Sequence, residues 1–450
     1  MANTELTRTP SSTTNRKTYT FSAWVKRATI SSGYPRIFAY DYADTDRFEF
    51  FFYNTDELQI EHVNNNSVDI DIHTTRRFKD TGAWYHIVLA VDTTQSTAAD
   101  RVKLYINGVQ ETTLTNAAGS SPTYPPQDSN TIVNYASGSK FFIGETGYSS
   151  GGQNFDGCMS HIHFVDGAAL APTVFGSTDS TTGEWKINTS PSYTVGTNGF
   201  FILKDGNSVT DQSANTNNFT VAGGTLTNTE DNPSNNFATL LSEYPSDPTG
   251  GFANANTTAK SNADSTWRSA FSSIATPPDG KYYMELKWSS GTHLIQGCVS
   301  SKTIANNNFK DLTDSYTGNY LALYGANYYS NGSSQGTYGV QLTSGNIGML
   351  AMDRDNNKFW WGVNGSWGTG HNPATNTGGF ALPGDLDDFW HFAISVYSNS
   401  GAGAYEFNFG NGYFGTTQIS SEGTNASGIG KFEYDVPSGF TALSTKGLNE

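Results

Sequence analysis

Few side chains in this 450-residue chain have the type and spacing for chemistry. Asp353-Arg354-Asp355-Asn356-Asn357 copies the opening of a calcium loop. Its sixth position is Lys358 rather than Gly and its twelfth is Asn364 rather than Glu, so it reads as a tight hairpin turn. His161 and His163, at i and i+2, would offer a metal two ligands from one strand face. No third ligand accompanies them, and they read as partly exposed strand histidines. Gly-x-Ser-x-Gly occurs at Gly147-Tyr148-Ser149-Ser150-Gly151 and at Gly332-Ser333-Ser334-Gln335-Gly336. As a nucleophile elbow it must sit between a strand and a helix; no helical pattern follows either copy, and both read as loops. Asp41, Asp44 and Asp46 form an acidic cluster. The most useful binding signal is aromatic. Tyr148, Tyr328, Tyr329, Trp367 and His371 lie in segments rich in Gly and Asn, which read as loops. Rings so placed stack on the C–H faces of sugars while nearby amides and carboxylates meet the hydroxyls. Packing within turns and contacts between subunits are the alternatives.

The composition narrows the setting. With 41 acidic and 25 basic residues the formal net charge is −16, which repels phosphate backbones and anionic lipid. Nucleic-acid binding is not expected. No run approaches the length of a membrane span, so membrane insertion is not expected either. The amino-terminal residues Met1 to Arg8 lack the basic and apolar regions of a signal peptide, which implies synthesis in a cytoplasm. Two cysteines, Cys158 and Cys298, exclude a disulfide scaffold by count and read as small buried hydrophobes.

The elements that must position these residues are short strands. Gly, aromatic residues, Ser, Thr and Asn abound, and no stretch keeps a helical period. In Thr18 to Arg27, Tyr19, Phe21, Ala23 and Val25 share one face, and Trp24 interrupts the polar face, which implies that this face is partly covered. Trp84 to Asp92 is apolar on both faces and reads as a central strand. Val102 to Ile106 runs into Asn107-Gly108, the strongest short hairpin signal. In Cys158 to Val165, Cys158, Ile162 and Phe164 are expected on one face and both histidines on the other. Gly199 to Lys204 and Asn218 to Ala222 read as strands returning to this first block. Residues 229–236 have no apolar content, carry Pro233 and read as a linker. Beyond it, Tyr282, Met284, Leu286 and Trp288 alternate against Lys281, Glu285 and Lys287. Trp390, Phe392, Ile394 and Val396 form a second apolar face, and Tyr405, Phe407 and Phe409 a third. Lys358 to Trp367 is another strand ending at Asn-Gly. Two separate apolar patterns predict two cores, over 1–228 and 237–450. The fold class is all-β, two tandem antiparallel β-sandwiches.

Residues Phe21 to Arg27, Trp84-Tyr85-His86-Ile87, Lys103 to Gly108, Phe142-Ile143-Gly144, Phe155-Asp156-Gly157 and Phe164 to Pro172 carry a resemblance. In order and spacing they resemble the laminin-G-like branch of the concanavalin A-like lectin and glucanase superfamily, which implies a jelly-roll. The second block resembles a SPRY-type sandwich through Gly280 to Glu285, Gly348 to Asp353, the Lys358 to Trp367 hairpin, Phe407 to Gly410 and Gly439 to Leu443. The pairing is similar to virion proteins of tailed, especially marine, bacteriophages.

That resemblance carries expectations. The lectin-like branch implies that Asp41, Asp44 and Asp46 are a place to look for calcium, the one cofactor the sequence suggests. Glucan-cleaving members carry Glu-x-Asp-x-(x)-Glu on a strand; none of Glu49, Glu57, Glu61, Glu111, Glu145, Glu285 and Glu406 opens such a motif, so the chain reads as non-enzymatic. The virion likeness implies a protein made in the host cytoplasm and carried on the particle, with other virion proteins and host-surface polysaccharide as partners, and a homo-oligomer. No β-helical or coiled-coil shaft is visible, so a compact appendage or tip is expected. Adhesion at a tail fibre or spike leads; capsid decoration and polysaccharide hydrolysis are the rivals.

Overall fold

A computed structural model describes residues 4–30, 33–147, 153–204, 208–241, 251–263, 265–305, 311–312 and 318–449. The chain divides into two compact units, Met1–Asn228 and Thr229–Glu450. Both are stacks of antiparallel sheets. The only α-helix among the described residues is the short Ser301–Ala305 segment, and no helix is long and apolar enough to cross a membrane.

In the first unit an eight-stranded sheet faces a six-stranded one. At the centre of the six-stranded sheet the Thr18–Arg27 strand lies between Gly157–Asp166 and Tyr85–Asp92. The period-two alternation of these strands sends Tyr19, Phe21, Ala23 and Val25 inward, where they meet Phe38, Tyr40, Phe48, Phe50, Phe52 and Ile60 of the opposite sheet in one continuous core. Stacked and edge-on ring pairs run through it, Phe21 on Phe38 at 4.6 Å among them. The Asn107-Gly108 hairpin forms as the sequence predicts, with φ of 49° and 81°. The Phe200–Ile202 strand pairs with Gly157–Asp166, and the Thr220–Gly223 strand with Glu5–Arg8, so both late pieces do return to this sandwich.

One expectation about faces fails. The Gly157–Asp166 strand carries a bulge between Ser160 and His163, with His161 at φ 49°. The extra residue inverts the alternation. Ile162 and Phe164 lie in the core, and before the bulge it is Met159, not Cys158, that packs against it. Cys158 is accordingly half-buried rather than buried, while Cys298 is buried as read.

The second unit opposes a nine-stranded to a six-stranded sheet. Tyr282, Met284, Leu286 and Trp288 of the Lys281–Ser290 strand meet Trp390, Phe392, Ile394 and Val396 of the Trp390–Tyr397 strand between the sheets. The outer side of the larger sheet is covered too: Tyr283, Met349, Ala351 and Trp360 pack under Phe432, Val436 and Phe440. Residues 229–236, read as a linker, fold onto this unit. Asp231 Oδ1 accepts from Phe237 N at 3.2 Å and Lys431 pairs with Glu230 at 2.7 Å. Thr445 N donates to Asn236 O at 2.9 Å and Ala238 N to Leu443 O at 2.9 Å, so the first and last segments of the unit lie side by side.

Candidate functional site

Tyr328 and Tyr329 are not in a loop. They belong to the Asn327–Ser330 strand, where aromatic residues are favoured, and alternation sends their rings to opposite faces. Tyr328 packs on the core between the sheets and Tyr329 on the outer cluster that includes Trp267 and Tyr324. The Ser333–Thr337 segment, read as a loop, is a fully exposed edge strand pairing with them.

Tyr328 leads to the best-formed patch. Its ring lies 4.0 Å from that of Phe380, and Phe380 is 5.5 Å from His371 and 5.4 Å from Tyr338. His371 closes the set at 4.7 Å from Tyr338. Trp361, fully buried, forms the floor at 5.7 Å from Phe380 and 5.4 Å from Tyr338. Tyr338 is itself buried, and its hydroxyl donates to Trp361 O at 2.6 Å, whereas Tyr328, His371 and Phe380 remain half-buried. His371 is oriented by its Nδ1, which accepts from Gly379 N at 2.9 Å. That bond needs an unprotonated Nδ1, and burial lowers the pKa of the ring, so the neutral imidazole is the working form.

The rim is bare backbone. A Cβ at Gly336, the residue paired with Tyr328, or at Gly339 or Gly370 would meet nothing within 4 Å. Asn327 and Thr337, exposed neutral residues paired with each other, lie on the opposite, Tyr329 side of the strand. Half-buried, uncharged rings beside an open glycine edge make a surface suited to stacking on a neutral ligand.

The other expected residues are elsewhere. Trp367, in the two-residue Ser366–Trp367 strand, packs with Tyr283 at 6.4 Å on the outer cluster of the larger sheet. Tyr148 lies outside the described residues, as do Ser149, Ser150 and Gly151 of the first Gly-x-Ser-x-Gly. Tyr329 shares its face with a second half-buried group, in which Trp267 lies 5.2 Å from Tyr397 and 5.8 Å from Tyr324. Phe380 and Tyr338 were missed by sequence reasoning; their signal is the bracketing glycines of Gly378-Gly379-Phe380 and Thr337-Tyr338-Gly339.

The acidic trio of the first unit does not converge. Asp41 is buried on a strand, and its Oδ2 accepts from Gly147 N at 2.8 Å and from the Thr146 hydroxyl; burial pushes its carboxyl up to about 6. Asp46 Oδ1 accepts from Asn65 N at 3.0 Å and Oδ2 from Thr45 Oγ1 at 2.8 Å, while Asp44 O receives Arg47. Among the described residues no group of three or more His, Cys, Asp or Glu side chains is placed to hold a metal ion. His161 and His163 lie on one face, both buried rather than exposed; His163 stacks on Phe201 at 3.8 Å.

A row of carboxylates does appear across three neighbouring strands of the first unit. Glu49 pairs with Glu61, and Glu61 with Asp71. Arg47 bridges the first two, at 3.1 Å to Glu49 and 2.6 Å to Glu61, and Arg36 adds a contact to Glu49 at 3.0 Å.

Residues 2–175, within the first unit, match the family model described as the concanavalin A-like lectin/glucanases superfamily (Laminin_G_3). A search of curated proteins gave no match. Similar solved structures include the SPRY domain of human HERC1, at 14% identity over 32% of this chain and 82% of that one, TM-score 0.23. A heptameric SAP-like pentraxin from Limulus polyphemus is similar at 17% identity over 45% and 89%, TM-score 0.27. Domain 4 of an extracellular arabinanase from Geobacillus stearothermophilus, solved with arabinotriose, is similar at 18% identity over 37% and 68%, TM-score 0.27.

Proposed function

We propose that this chain is a non-enzymatic structural protein of a bacteriophage virion, associated with a tail fibre or spike, that recognises an uncharged host-surface polysaccharide. One observation carries the recognition: the Tyr328–Phe380–His371 patch, with its glycine rim. Stacking supplies affinity, while a net charge of −16 discourages anionic polymers. The virion setting rests on the sequence resemblance. Two measurements test the reading. Surface polysaccharides from host cells, arrayed and probed with the folded protein, are bound by wild type and about tenfold more weakly by Phe380→Ala, as loss of one stacked ring implies. Absence of all binding sinks the adhesion reading. Antibody-fragment labelling of intact particles then distinguishes tail from capsid; label over the head makes this a decoration protein.

A second reading, hydrolysis of the same polymer, is favoured by the Glu49–Glu61 pair, because a double displacement needs two adjacent carboxyl groups. Burial raises the Glu61 pKa, as an acid catalyst requires. Arg47 occupies the space between the two carboxylates, which is why binding takes precedence. Release of reducing ends, abolished by Glu61→Gln, would reverse that order.

A further inference from the structure

The second unit leaves two large apolar side chains in water among its described residues: Leu386, 55% exposed, and Phe389, 50% exposed. They stand three positions apart on one loop, and that loop is built to hold them there. Arg354, itself buried, donates from one terminal nitrogen to Asp388 O and from the other to Leu386 O, each at 2.9 Å. Its own backbone N–H is tied to Gly280 O at 2.8 Å. Asp385 closes the turn by accepting from Asp387 N at 3.1 Å and pairs with Lys302 at 2.8 Å; Ser301 N holds Phe389 O at 2.8 Å. A guanidinium gripping two carbonyls of one turn fixes its backbone. The loop therefore does not fold its hydrophobes inward, although leaving them exposed is unfavourable.

The exposed charges carried by the loop itself are acidic. Asp385 and Asp387 are exposed on the loop, and Asp279 and Asp355 on the neighbouring turns are near enough to act on Arg354 or Tyr282. Lys302 is the cation at the edge, already paired with Asp385. Two exposed apolar side chains on a tied backbone, beside exposed Asp385 and Asp387, are complementary to an apolar socket flanked by Lys or Arg. A second copy of this chain is a poor match, with 41 acidic against 25 basic residues.

We infer that the Leu386–Phe389 loop is a docking element for a different protein, one presenting an apolar socket rimmed by basic side chains. The interaction is independent of the glycan patch. The test uses the full chain as bait against a yeast-displayed library of random peptides of roughly 12 residues. Enriched peptides are expected to combine apolar with Lys or Arg residues. They bind Leu386→Ser/Phe389→Ser about tenfold or more weakly, and lose affinity as salt rises from about 50 to about 300 mM. Both side chains are exposed, so the double variant keeps the wild-type unfolding temperature; Asp385→Asn/Asp387→Asn, which retains the hydrophobes, weakens the enriched peptides and reduces the salt dependence of their binding. The inference is overturned by failure of any peptide to enrich, by enrichment of neutral or acidic ones, by equal binding to the double variant, or by self-association that the double variant abolishes.

Discussion

Trp185 Nε1 donates a hydrogen bond to His86 Nδ1 at 2.9 Å, and this fixes the protonation of a buried imidazole. An indole nitrogen only donates, so Nδ1 carries no proton, and the neutral ring holds its proton on Nε2, facing Ser22 Oγ at 2.9 Å. Ser22 thus accepts from the histidine and is not activated by it. Trp24 stacks on the same ring at 4.8 Å, which accounts for the tryptophan that interrupts the polar face of its strand.

His163 lies on the same sheet, 2.6 Å from the Tyr193 hydroxyl. Burial first, with the nearby Lys204 charge adding to it, drives its pKa well below the ordinary 6.5. A folded pKa below the unfolded one means that the unfolded chain takes up the proton first. The stability linked to His163 is complete above about 6.5 and is lost as pH falls. Asp41, raised toward 6, acts in the opposite sense, so the readout is a difference. The unfolding temperature of His163→Phe is expected to gain steadily on wild type between pH 7 and about pH 4. A constant offset would refute the linkage.

Glu285 shows the reverse sign. The carboxylate is fully buried and accepts from Glu433 N and Tyr434 N, both at 2.8 Å, and from Tyr283 Oη at 3.0 Å. Burial outweighs these donors and raises its pKa to about 7. The folded state then binds the proton more tightly, so this contribution is complete below about 4.5 and is lost as pH rises through 7. Glu285→Gln, which does not titrate, is expected to gain on wild type from about pH 4.5 to pH 7.5, measured by calorimetric unfolding of the second unit.

Arg27 and Asp56 form a fully buried ion pair at 2.9 Å, with the guanidinium stacked 4.2 Å above Phe52. Arg27→Met leaves a buried carboxylate without its guanidinium partner, with Lys79 3.7 Å away. A loss of about 3–5 kcal/mol is expected by chemical denaturation, and Arg27→Met/Asp56→Asn is expected to recover part of it. A double variant no better than the single would show that the charge imbalance is not the cause.

Gln296 sits 1% exposed in the second core, with neither amide atom hydrogen-bonded. Gln296→Met keeps the shape and removes the stranded dipole, so a rise in stability of about 1–3 kcal/mol is expected. A fall would mean that a buried water satisfies the amide.

Much of the fold was legible because period-two alternation survives in long strands such as Lys281–Ser290, and because Asn107-Gly108 and Asn364-Gly365 demand positive φ. What escaped depends on distant chain. Glu285 reads as a solvent-facing charge until residues 432–440 are seen to cover it. Cys158 changes face because one bulge resets the register. The ring patch was half visible: Tyr328 and His371 were found by type, but Phe380, which joins them, comes from a two-residue strand with no periodicity to read.

In both units the first strand or segment is laid antiparallel against the last, Glu5–Arg8 on Thr220–Gly223 in one and 236–238 on 443–445 in the other. The entry and exit of each sandwich are thus adjacent. A tensile load applied through the chain would peel these short pairings one hydrogen bond at a time rather than shear them together, so each sandwich yields first at its doorway while its core stays whole. The same adjacency makes each unit a cassette that can be spliced into a surface loop of another protein without stretching its host.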